Sequence, residues 1–285
     1  MKFRTKAIIG GVAAAAVAAG ASAVIVDGNK HLTVAEHTVT LRDLPASFDG
    51  MRVLHLSDLH GASFGNDQQR LLKLIDSLNV DAAFITGDLV DRRRTKCDKD
   101  MRAAIVLLKK LSERMPVVRV DGNHESRCEA APRFQYLADR SGAQNVTGRS
   151  ITIRKGNDRL CVVGVPDVVT FEYDEDAWRR SMRSLRTAAK HDFCIALSHR
   201  PQYMPDYVKE GWPLVLCGHA HGGQVRLPFV GGLYAPEQGV LPKYTAGLHT
   251  VDGTTMIVNR GMGNSGFPVR FGNRPEVGVI TLKRE

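Results

Sequence analysis

The sequence predicts an α/β fold built on a parallel sheet, and three observations support this prediction. Short apolar runs, typical of buried strands, alternate with longer segments whose apolar residues recur at helical spacing. The first three strands and the two helices between them form a βαβαβ pattern, which is typical of parallel pairing. The chain has 285 residues, 43% hydrophobic and 24% charged, which is an ordinary composition for one large globular domain or two small ones.

The first 26 residues predict a membrane anchor or a signal peptide. Three basic residues among the first six precede an apolar run over residues 7–26, close to the ~20 residues that span a bilayer as a helix. Ala21-Ser22-Ala23 near its end is also typical of a signal-peptide cleavage site. Both interpretations stay open. Each predicts a cytoplasmic N-terminus and a main domain outside the cytoplasm, either on a single membrane span or exported after cleavage.

A lead-in segment over residues 27–49 carries a partly alternating strand at 34–41, and the main domain is predicted over 50–285 without an internal linker. Apolar runs that end in polar residues predict strands at 51–56, 82–86 and 116–120. Between them, apolar residues at i, i+3, i+4 and i+7 predict helices around 71–78 and 101–111, the first capped by Asn66-Asp67.

The second half of the domain repeats this alternation. A helix is predicted at 133–141 and another around 178–185, where Trp178, Met182 and Leu185 lie on one face. A Gly/Pro-rich stretch over 228–247 indicates loops. Shorter apolar runs predict strands at 151–154, 160–165, 193–197, 214–217, 254–258 and 277–282.

Charge and cysteine content set broad limits on function. The formal net charge of +9 favours an anionic substrate, an anionic membrane surface or nucleic acid. No RNA- or DNA-binding motif is present, so nucleic acid is not expected as a partner. The five cysteines form no CxxC pair, and their odd number argues against a disulfide framework.

The polar clusters that follow the strands carry the predicted chemistry, because ligands bind at the carboxyl edge of an open α/β sheet. The clusters supply carboxylates, an amide oxygen and imidazoles, namely Asp58, His60, Asp88, Asn123, His199, His219 and His221. These oxygen and nitrogen donors suit Mn²⁺, Fe or Zn²⁺. Seven ligands are too many for one ion, so the set predicts two ions that share a carboxylate, as in enzymes that displace a group at phosphorus.

These clusters resemble the motifs of calcineurin-like metallophosphoesterases. The matching motifs are Asp58-x-His60, Gly87-Asp88-x-x-Asp91, Gly122-Asn123-His124-Glu125, His199 and Gly218-His219-x-His221. The resemblance covers roughly residues 50–285 and implies a four-layer sandwich of two mixed sheets flanked by helices. The N-terminal apolar segment, Gly222-Gly223-Gln224 and the tail around Arg270 are similar to a bacterial branch of membrane-associated phosphodiesterases, the GHxHGGQ type.

The resemblance also implies a role for each residue. Two triads would each hold one metal ion: Asp58, His60 and His221 for the first, and Asn123, His199 and His219 for the second. Asp88 would bridge the ions, a hydroxide between them would be the nucleophile, and Asp91 would support the ligand loop. His124 would act as general acid or electrostatic clamp, with Glu125 as its orienting partner. From its guanidinium chemistry we also predict Arg270 as a phosphate clamp, and the alternative is an exposed, salt-bridged arginine.

These residues predict a two-metal phosphohydrolase that acts on a phosphodiester or a pyrophosphate. A narrower alternative is a lipid-linked substrate, because relatives with similar motifs hydrolyse the pyrophosphate of UDP-2,3-diacylglucosamine in lipid A synthesis. The predicted location outside the cytoplasm argues against that substrate, which is made in the cytoplasm. A third hypothesis is a membrane-tethered metal-binding protein without catalysis, although no ligand position of the pattern is missing. The sequence leaves the natural substrate, the metals and the oligomeric state undefined.

Overall fold

A computed structural model describes residues 28–189 and 192–285, and the predictions for residues 1–26 lie outside the described residues. The first half forms β1 (Thr33–Leu41), β2 (Arg52–Leu56), α1 (Gln69–Asp76), β3 (Ala82–Ile85), α2 (Asp98–Ser112), β4 (Val117–Arg119), α3 (Ala131–Asp139) and β5 (Gln144–Asn145). There follow β6 (Ser150–Lys155), β7 (Asp158–Gly164), α4 (Glu175–Ala188), β8 (Phe193–Leu197), α5 (Met204–Lys209) and β9 (Leu214–Cys217). The last part forms β10 (Arg226–Leu227), β11 (Gly231–Gly232), β12 (Tyr234–Ala235), β13 (Gly239–Val240), β14 (Gly247–Val251), β15 (Thr254–Val258) and β16 (Glu276–Arg284).

The longer strands of the described residues form two six-stranded sheets. The first sheet has the order β1-β16-β2-β3-β4-β5, and the second has the order β14-β15-β9-β8-β7-β6. In the first sheet β2 to β5 are parallel, as the βαβαβ pattern predicts, and β16 runs antiparallel to β2. In the second sheet β7, β8, β9 and β15 are parallel, and the edge strands β6 and β14 are antiparallel to their neighbours. Both sheets are therefore mixed.

Alternating side chains of the strands divide the core into layers. In β3, Ala82 and Phe84 pack in the cluster between the two sheets, while Ala83 and Ile85 pack with the helices outside the first sheet. Helices α1, α2 and α3 cover that outer face. The outer face of the second sheet is covered by α4 and α5, through side chains that include Trp178 and Tyr207. The order helix, sheet, sheet, helix confirms the predicted four-layer sandwich.

The predicted boundary at residue 50 does not separate the lead-in segment from the main domain. Strand β1 pairs in parallel with β16 along its whole length, from Thr33 opposite Glu276 to Leu41 opposite Arg284. The lead-in segment therefore supplies an edge strand of the first sheet. The sequence could not show this pairing, because the two strands lie at opposite ends of the chain.

Two local predictions also differ from the structure. The predicted cap at Asn66-Asp67 is wrong, because Asn66–Gln68 form a 3-10 turn and α1 begins at Gln69 without a side-chain cap. Helix α5 and the short hairpins β10–β11 and β12–β13 were not predicted. The hairpins have no signature in the sequence, because two-residue strands show no periodicity. Within residues 28–189 and 192–285, no helix has both the length and the apolar character needed for a bilayer span.

The fold brings the carboxyl ends of β2, β3 and β4 against those of β8 and β9. Two glycines permit this close approach. A Cβ atom at Gly218 would collide with the Asp58 carboxylate, and one at Gly122 would collide with the Asp88 carboxylate. The turns that carry the predicted metal ligands therefore meet at one edge between the two sheets.

Candidate metal centre

The turn after β2 places Asp58 and His60 beside His221, which follows β9. His60 Nε2 and His221 Nε2 are 3.2 Å apart. Asp58 Oδ1 lies 3.4 Å from His221 Nε2 and 3.7 Å from His60 Nε2. One oxygen and two nitrogens therefore converge on one point, as the first predicted triad requires.

A second group of ligand atoms surrounds His199 Nε2. Asn123 Oδ1, Asp88 Oδ2 and His219 Nδ1 each lie 3.2 Å from this nitrogen. Asp88 Oδ2 also lies 3.7 Å from His60 Nε2, on the side of the first group. The structure thus brings all seven predicted ligand residues into two adjacent groups, with the Asp88 carboxylate between them.

Polar atoms without protein partners show that these groups fit cations. Asp58 Oδ1 is fully buried and has no hydrogen-bond partner among the described residues. A buried carboxylate oxygen of this kind is costly unless a cation or a donor satisfies it. His199 Nδ1 lies 2.7 Å from the carbonyl oxygen of Thr86, so it carries the proton and donates it there. Its Nε2 is then the ring nitrogen that faces Asp88 and Asn123, and it becomes a ligand atom once its proton is released, as in metal-binding histidines.

The backbone of the site is strained at the same positions. A positive φ angle is uncommon for a non-glycine residue and costs about 1–3 kcal/mol where the conformation is sparsely populated. Such strain persists only where the surrounding structure enforces it, and it clusters at functional sites. The left-handed region is adopted by Asp58, His60, Asp88, His219 and His221, with φ between 47° and 66°.

The buried carboxylates and histidines of the site shift one another's pKa values. Burial raises the pKa of Asp58, but the neighbouring His221 and His60 outweigh it and hold that pKa well below its usual range. Burial lowers the pKa of His221 to about 3, which keeps this imidazole neutral. Burial also opposes charge on His199, but Asp88 outweighs it and raises the pKa of His199 to about 10. Because a metal ligand must be deprotonated, cation binding at His199 would release a proton.

His124 lies beside both ligand groups. Its ring centroid is 4.6 Å from that of His60, and its backbone N–H donates to Asp88 Oδ1 at 2.8 Å. The backbone N–H of Arg92 donates to His124 Nδ1 at 3.1 Å, so a neutral ring carries its proton on Nε2, 3.1 Å from Ser265 Oγ. Burial lowers the pKa of His124, but Asp91 and Asp88 outweigh this effect and raise it.

Glu125 has a different position from the predicted one. Its carboxylate accepts backbone N–H groups from Asp88 at 2.8 Å, Gly122 at 2.9 Å and Val90 at 3.1 Å, and it makes no hydrogen bond to the His124 ring, although its charge contributes to the raised pKa of His124. Burial and the neighbouring Asp88 raise the pKa of Glu125 to about 7. Glu125 therefore ties the ligand turn after β3 to the turn after β4. Orientation of His124 comes instead from the Arg92 backbone.

Asp91 supports the loop that follows β3. Its carboxylate accepts the backbone N–H of Arg93 at 2.9 Å and pairs with the Arg94 guanidinium at 2.8 Å. It also lies 3.5 Å from His124 Nδ1. These contacts match the predicted supporting role.

Arg270 is neither an exposed arginine nor placed to clamp phosphate. Its side chain is fully buried, and the guanidinium donates to Asn264 Oδ1, the Arg260 carbonyl and the Gly263 carbonyl at 2.6–2.9 Å. Nη2 also lies 3.3 Å from His221 Nδ1, on the ring edge away from the ligand atom Nε2. Arg270 therefore holds the 260–264 loop behind His221. The predicted contact between Arg270 and phosphate is wrong.

The sequence analysis did not predict a role for three residues beside the second ligand group. Glu237 Oε2 lies 3.7 Å from His219 Nε2, on the ring edge opposite Nδ1, and also pairs with the Arg200 guanidinium. Arg200 Nε in turn donates to Asp167 Oδ2 at 2.7 Å. The position of Arg200 directly after His199 is the one signal that could have found this group. Glu237 belongs to the Gly/Pro-rich stretch, where no pattern marks it.

Comparisons with known proteins agree with this geometry. Residues 51–223 match the family described as Calcineurin-like phosphoesterase. The chain is 30% identical over 260 residues to "Uncharacterized metallophosphoesterase YkuE" of Bacillus subtilis (strain 168), which covers 87% of this chain and 84% of that protein. It is 27% identical over 240 residues to "Phosphodiesterase YaeI" of Escherichia coli (strain K12), covering 81% and 82% of the two chains.

Among solved structures, the phosphopantetheinyl hydrolase PptH of Mycobacterium tuberculosis aligns with a TM-score of 0.43 at 14% identity, over 75% of this chain and 91% of that chain. The family match spans the strand ends that carry the first five predicted ligands and both histidines of the last turn. The chain therefore belongs to the calcineurin-like phosphoesterase family and is a metal-dependent phosphoester hydrolase.

Proposed function

We propose that the chain is a two-metal phosphodiesterase, with a pyrophosphate bond as the alternative target. The observation that carries this proposal is the position of the Asp88 carboxylate between two groups of ligand atoms, with Oδ2 3.7 Å from His60 Nε2 and 3.2 Å from His199 Nε2. The similarity to a protein named phosphodiesterase supports a diester substrate.

The ligands divide as the geometry groups them. Asp58, His60 and His221 would hold one ion, Asn123, His199 and His219 would hold the other, and Asp88 would contact both. The donors are imidazole nitrogens and carboxylate or amide oxygens, which suit Mn²⁺, Fe²⁺/³⁺ or Zn²⁺. When bound, two such ions polarise the phosphoryl oxygens and lower the pKa of water at the site.

His124 supplies the proton for the leaving group. The Arg92 N–H fixes the ring so that the Nε2 proton is directed away from that backbone, towards Ser265 Oγ. Asp91 and Asp88 raise the pKa of His124 and favour the doubly protonated ring that a general acid requires, and in that form Nδ1 donates to Asp91, 3.5 Å away, instead of accepting from Arg92. We assign the Nε2 proton to the leaving oxygen of the ester.

The chain's predicted location belongs to the same proposal. Residues 1–26 would anchor the protein by one N-terminal span with the hydrolase domain outside the cytoplasm, or would be cleaved as a signal peptide. This location and the histidine turn that ends in Gly222-Gly223-Gln224 support the membrane-associated, GHxHGGQ-type branch of the family.

The test compares two substrates on the full-length chain in detergent. After removal of metal and reloading with Mn²⁺, we expect faster hydrolysis of bis-p-nitrophenyl phosphate than of p-nitrophenyl phosphate. Asp88→Asn should lower the diester rate at least 100-fold, because a neutral amide then replaces the carboxylate between the ligand groups. Asp98→Asn, a change at an exposed aspartate paired with Arg133, is the matched control and should retain full activity.

Two results would overturn the proposal. Full activity of Asp88→Asn would contradict the shared carboxylate. Hydrolysis of the monoester alone would contradict a diester substrate. If the chain binds two ions but cleaves neither ester nor a UDP-linked pyrophosphate, the proposal would be replaced by the hypothesis of a metal-binding protein that does not catalyse a reaction.

A further inference from the structure

Apolar side chains are exposed on the loops that follow the histidine turn. Phe229 is 108% exposed, and Val230, Val240 and Leu241 are 55%, 77% and 63% exposed. Single apolar residues on a surface need no explanation, but a group of them marks an interaction site. These four side chains lie within one short stretch of the chain, residues 229–241.

Two hairpins connect these residues to the metal centre. Strands β10 and β11 form a hairpin with Phe229 and Val230 at its turn. In the second hairpin Tyr234 lies directly opposite Val240, so both exposed side chains project from one face. Between the hairpins, the backbone N–H of Leu233 donates to the carbonyls of Gly223 and Val225 at 3.2 and 2.9 Å.

A second loop adds two exposed phenylalanines. Phe267 is 52% exposed and Phe271 is 46% exposed. The backbone N–H of Arg226 donates to the carbonyl of Phe271 at 2.9 Å, so this loop adjoins the first hairpin. We call the set the apolar loop surface, defined as Phe229, Val230, Tyr234, Val240, Leu241, Phe267 and Phe271.

The described chain begins against this second loop. The side chain of Asn29 donates to the Pro268 carbonyl at 3.2 Å and accepts from Asn264 at 2.7 Å. Gly28 packs so closely on the Arg270 carbonyl that a Cβ atom there would collide with it. In the sequence, the apolar run of residues 7–26 ends two positions before Gly28.

We propose that the apolar loop surface docks on a lipid bilayer. Aromatic and aliphatic side chains flanked by cations are what the interfacial zone of a membrane accepts. Arg93 is exposed beside Gly266, and Lys243 lies over the Tyr244 ring at 5.0 Å, so cations border the surface. The N-terminal span proposed above for residues 1–26 would bring a membrane within a few residues of Gly28 and these loops, which favours a bilayer over a protein partner.

Docking places the metal centre next to the bilayer. Glu237, in the turn of the second hairpin, lies 3.7 Å from His219 Nε2, so the docked loops border the second ligand group. A substrate with an apolar part in the membrane would present its phosphate at this edge. This consequence for the substrate rests on the proposed phosphodiesterase function, whereas docking itself does not.

Fluorescence quenching tests the docking on the full-length chain. The chain is reconstituted in vesicles of phosphatidylcholine and phosphatidylglycerol with brominated acyl chains, which quench indoles that enter the bilayer. The native Trp178 and Trp212 are 1% and 0% exposed and give a constant background. We expect bromolipid to quench the indole introduced by Phe229→Trp at least twofold more than that of Tyr136→Trp. Tyr136 is the matched control, because it is 54% exposed on α3 and both variants carry the same N-terminal run.

Equal quenching of the two variants would overturn the docking and would leave the surface to a protein partner. A second experiment replaces Phe229, Val230, Val240 and Leu241 by serine together. Hydrolysis of hexadecyl p-nitrophenyl phosphate in vesicles should fall about tenfold, while hydrolysis of soluble bis-p-nitrophenyl phosphate stays unchanged. An unchanged vesicle rate would contradict the proposal. If the unmodified chain cleaves neither ester, the phosphodiesterase function fails, and the quenching result still decides the docking.

Discussion

Replacing Glu125 by alanine should destabilise the protein more than any loss of an exposed charge. The Glu125 carboxylate is 2% exposed and accepts three backbone N–H groups, from Asp88, Val90 and Gly122. A buried donor left without a partner costs about 1–3 kcal/mol, so three would cost about 3–9 kcal/mol if none were hydrated. Part of this cost is offset, because the substitution also removes a buried carboxylate, whose desolvation is unfavourable. We therefore expect a decrease of about 3 kcal/mol in the free energy of unfolding.

Urea unfolding of the full-length chain in detergent, followed by tryptophan fluorescence, measures this change. The matched control is Glu113→Ala, which removes an exposed carboxylate paired with Lys110 and should change stability by less than about 0.5 kcal/mol. The expected destabilisation would be refuted if Glu125→Ala lowered the free energy of unfolding by an amount within 0.5 kcal/mol of that for Glu113→Ala. It would show that the three N–H groups find other partners when the carboxylate is removed.

Three further predictions concern the centre. His124→Gln should lower kcat for the diester by about 10²–10⁴-fold, because it removes the proton donor, while bound metal measured by mass spectrometry stays unchanged; unchanged kcat would exclude His124 as the acid. Glu237→Gln should weaken metal affinity by about 10–100-fold, because it removes the carboxylate beside His219 Nε2, and a calorimetric affinity equal to that of the unmodified chain would show that the contact is incidental. Arg270→Ala should lower stability by about 3 kcal/mol, because it leaves buried carbonyls unpaired, and a melting temperature equal to that of the unmodified chain would contradict this role.

The sequence predicted the elements that have a local signature. Apolar runs gave β8, β9 and β15 at their observed bounds, and helical spacing located α1, α2 and α4. The ligand residues were predictable because each polar cluster follows a strand, and the ends of parallel strands meet at one edge.

What the sequence could not show depends on contacts between distant segments. The pairing of β1 with β16 joins the two ends of the described chain, and nothing in either segment encodes its register. The burial of Arg270 follows from its acceptors in the 260–264 loop, which its own neighbours in sequence do not reveal. Glu237 and Glu125 likewise take their roles from backbone and ring atoms that only the folded chain brings to them.

The proposed two-metal centre requires two ions held close together around Asp88. The most direct measurement is the electron paramagnetic resonance spectrum of the full-length chain, stripped of metal and reloaded with Mn²⁺ to saturation. Two ions held about 3.5–4 Å apart should give the spectrum of an exchange-coupled pair, with two Mn²⁺ bound per chain. A single ion per chain, or two ions with the spectrum of isolated Mn²⁺, would contradict the shared-carboxylate centre.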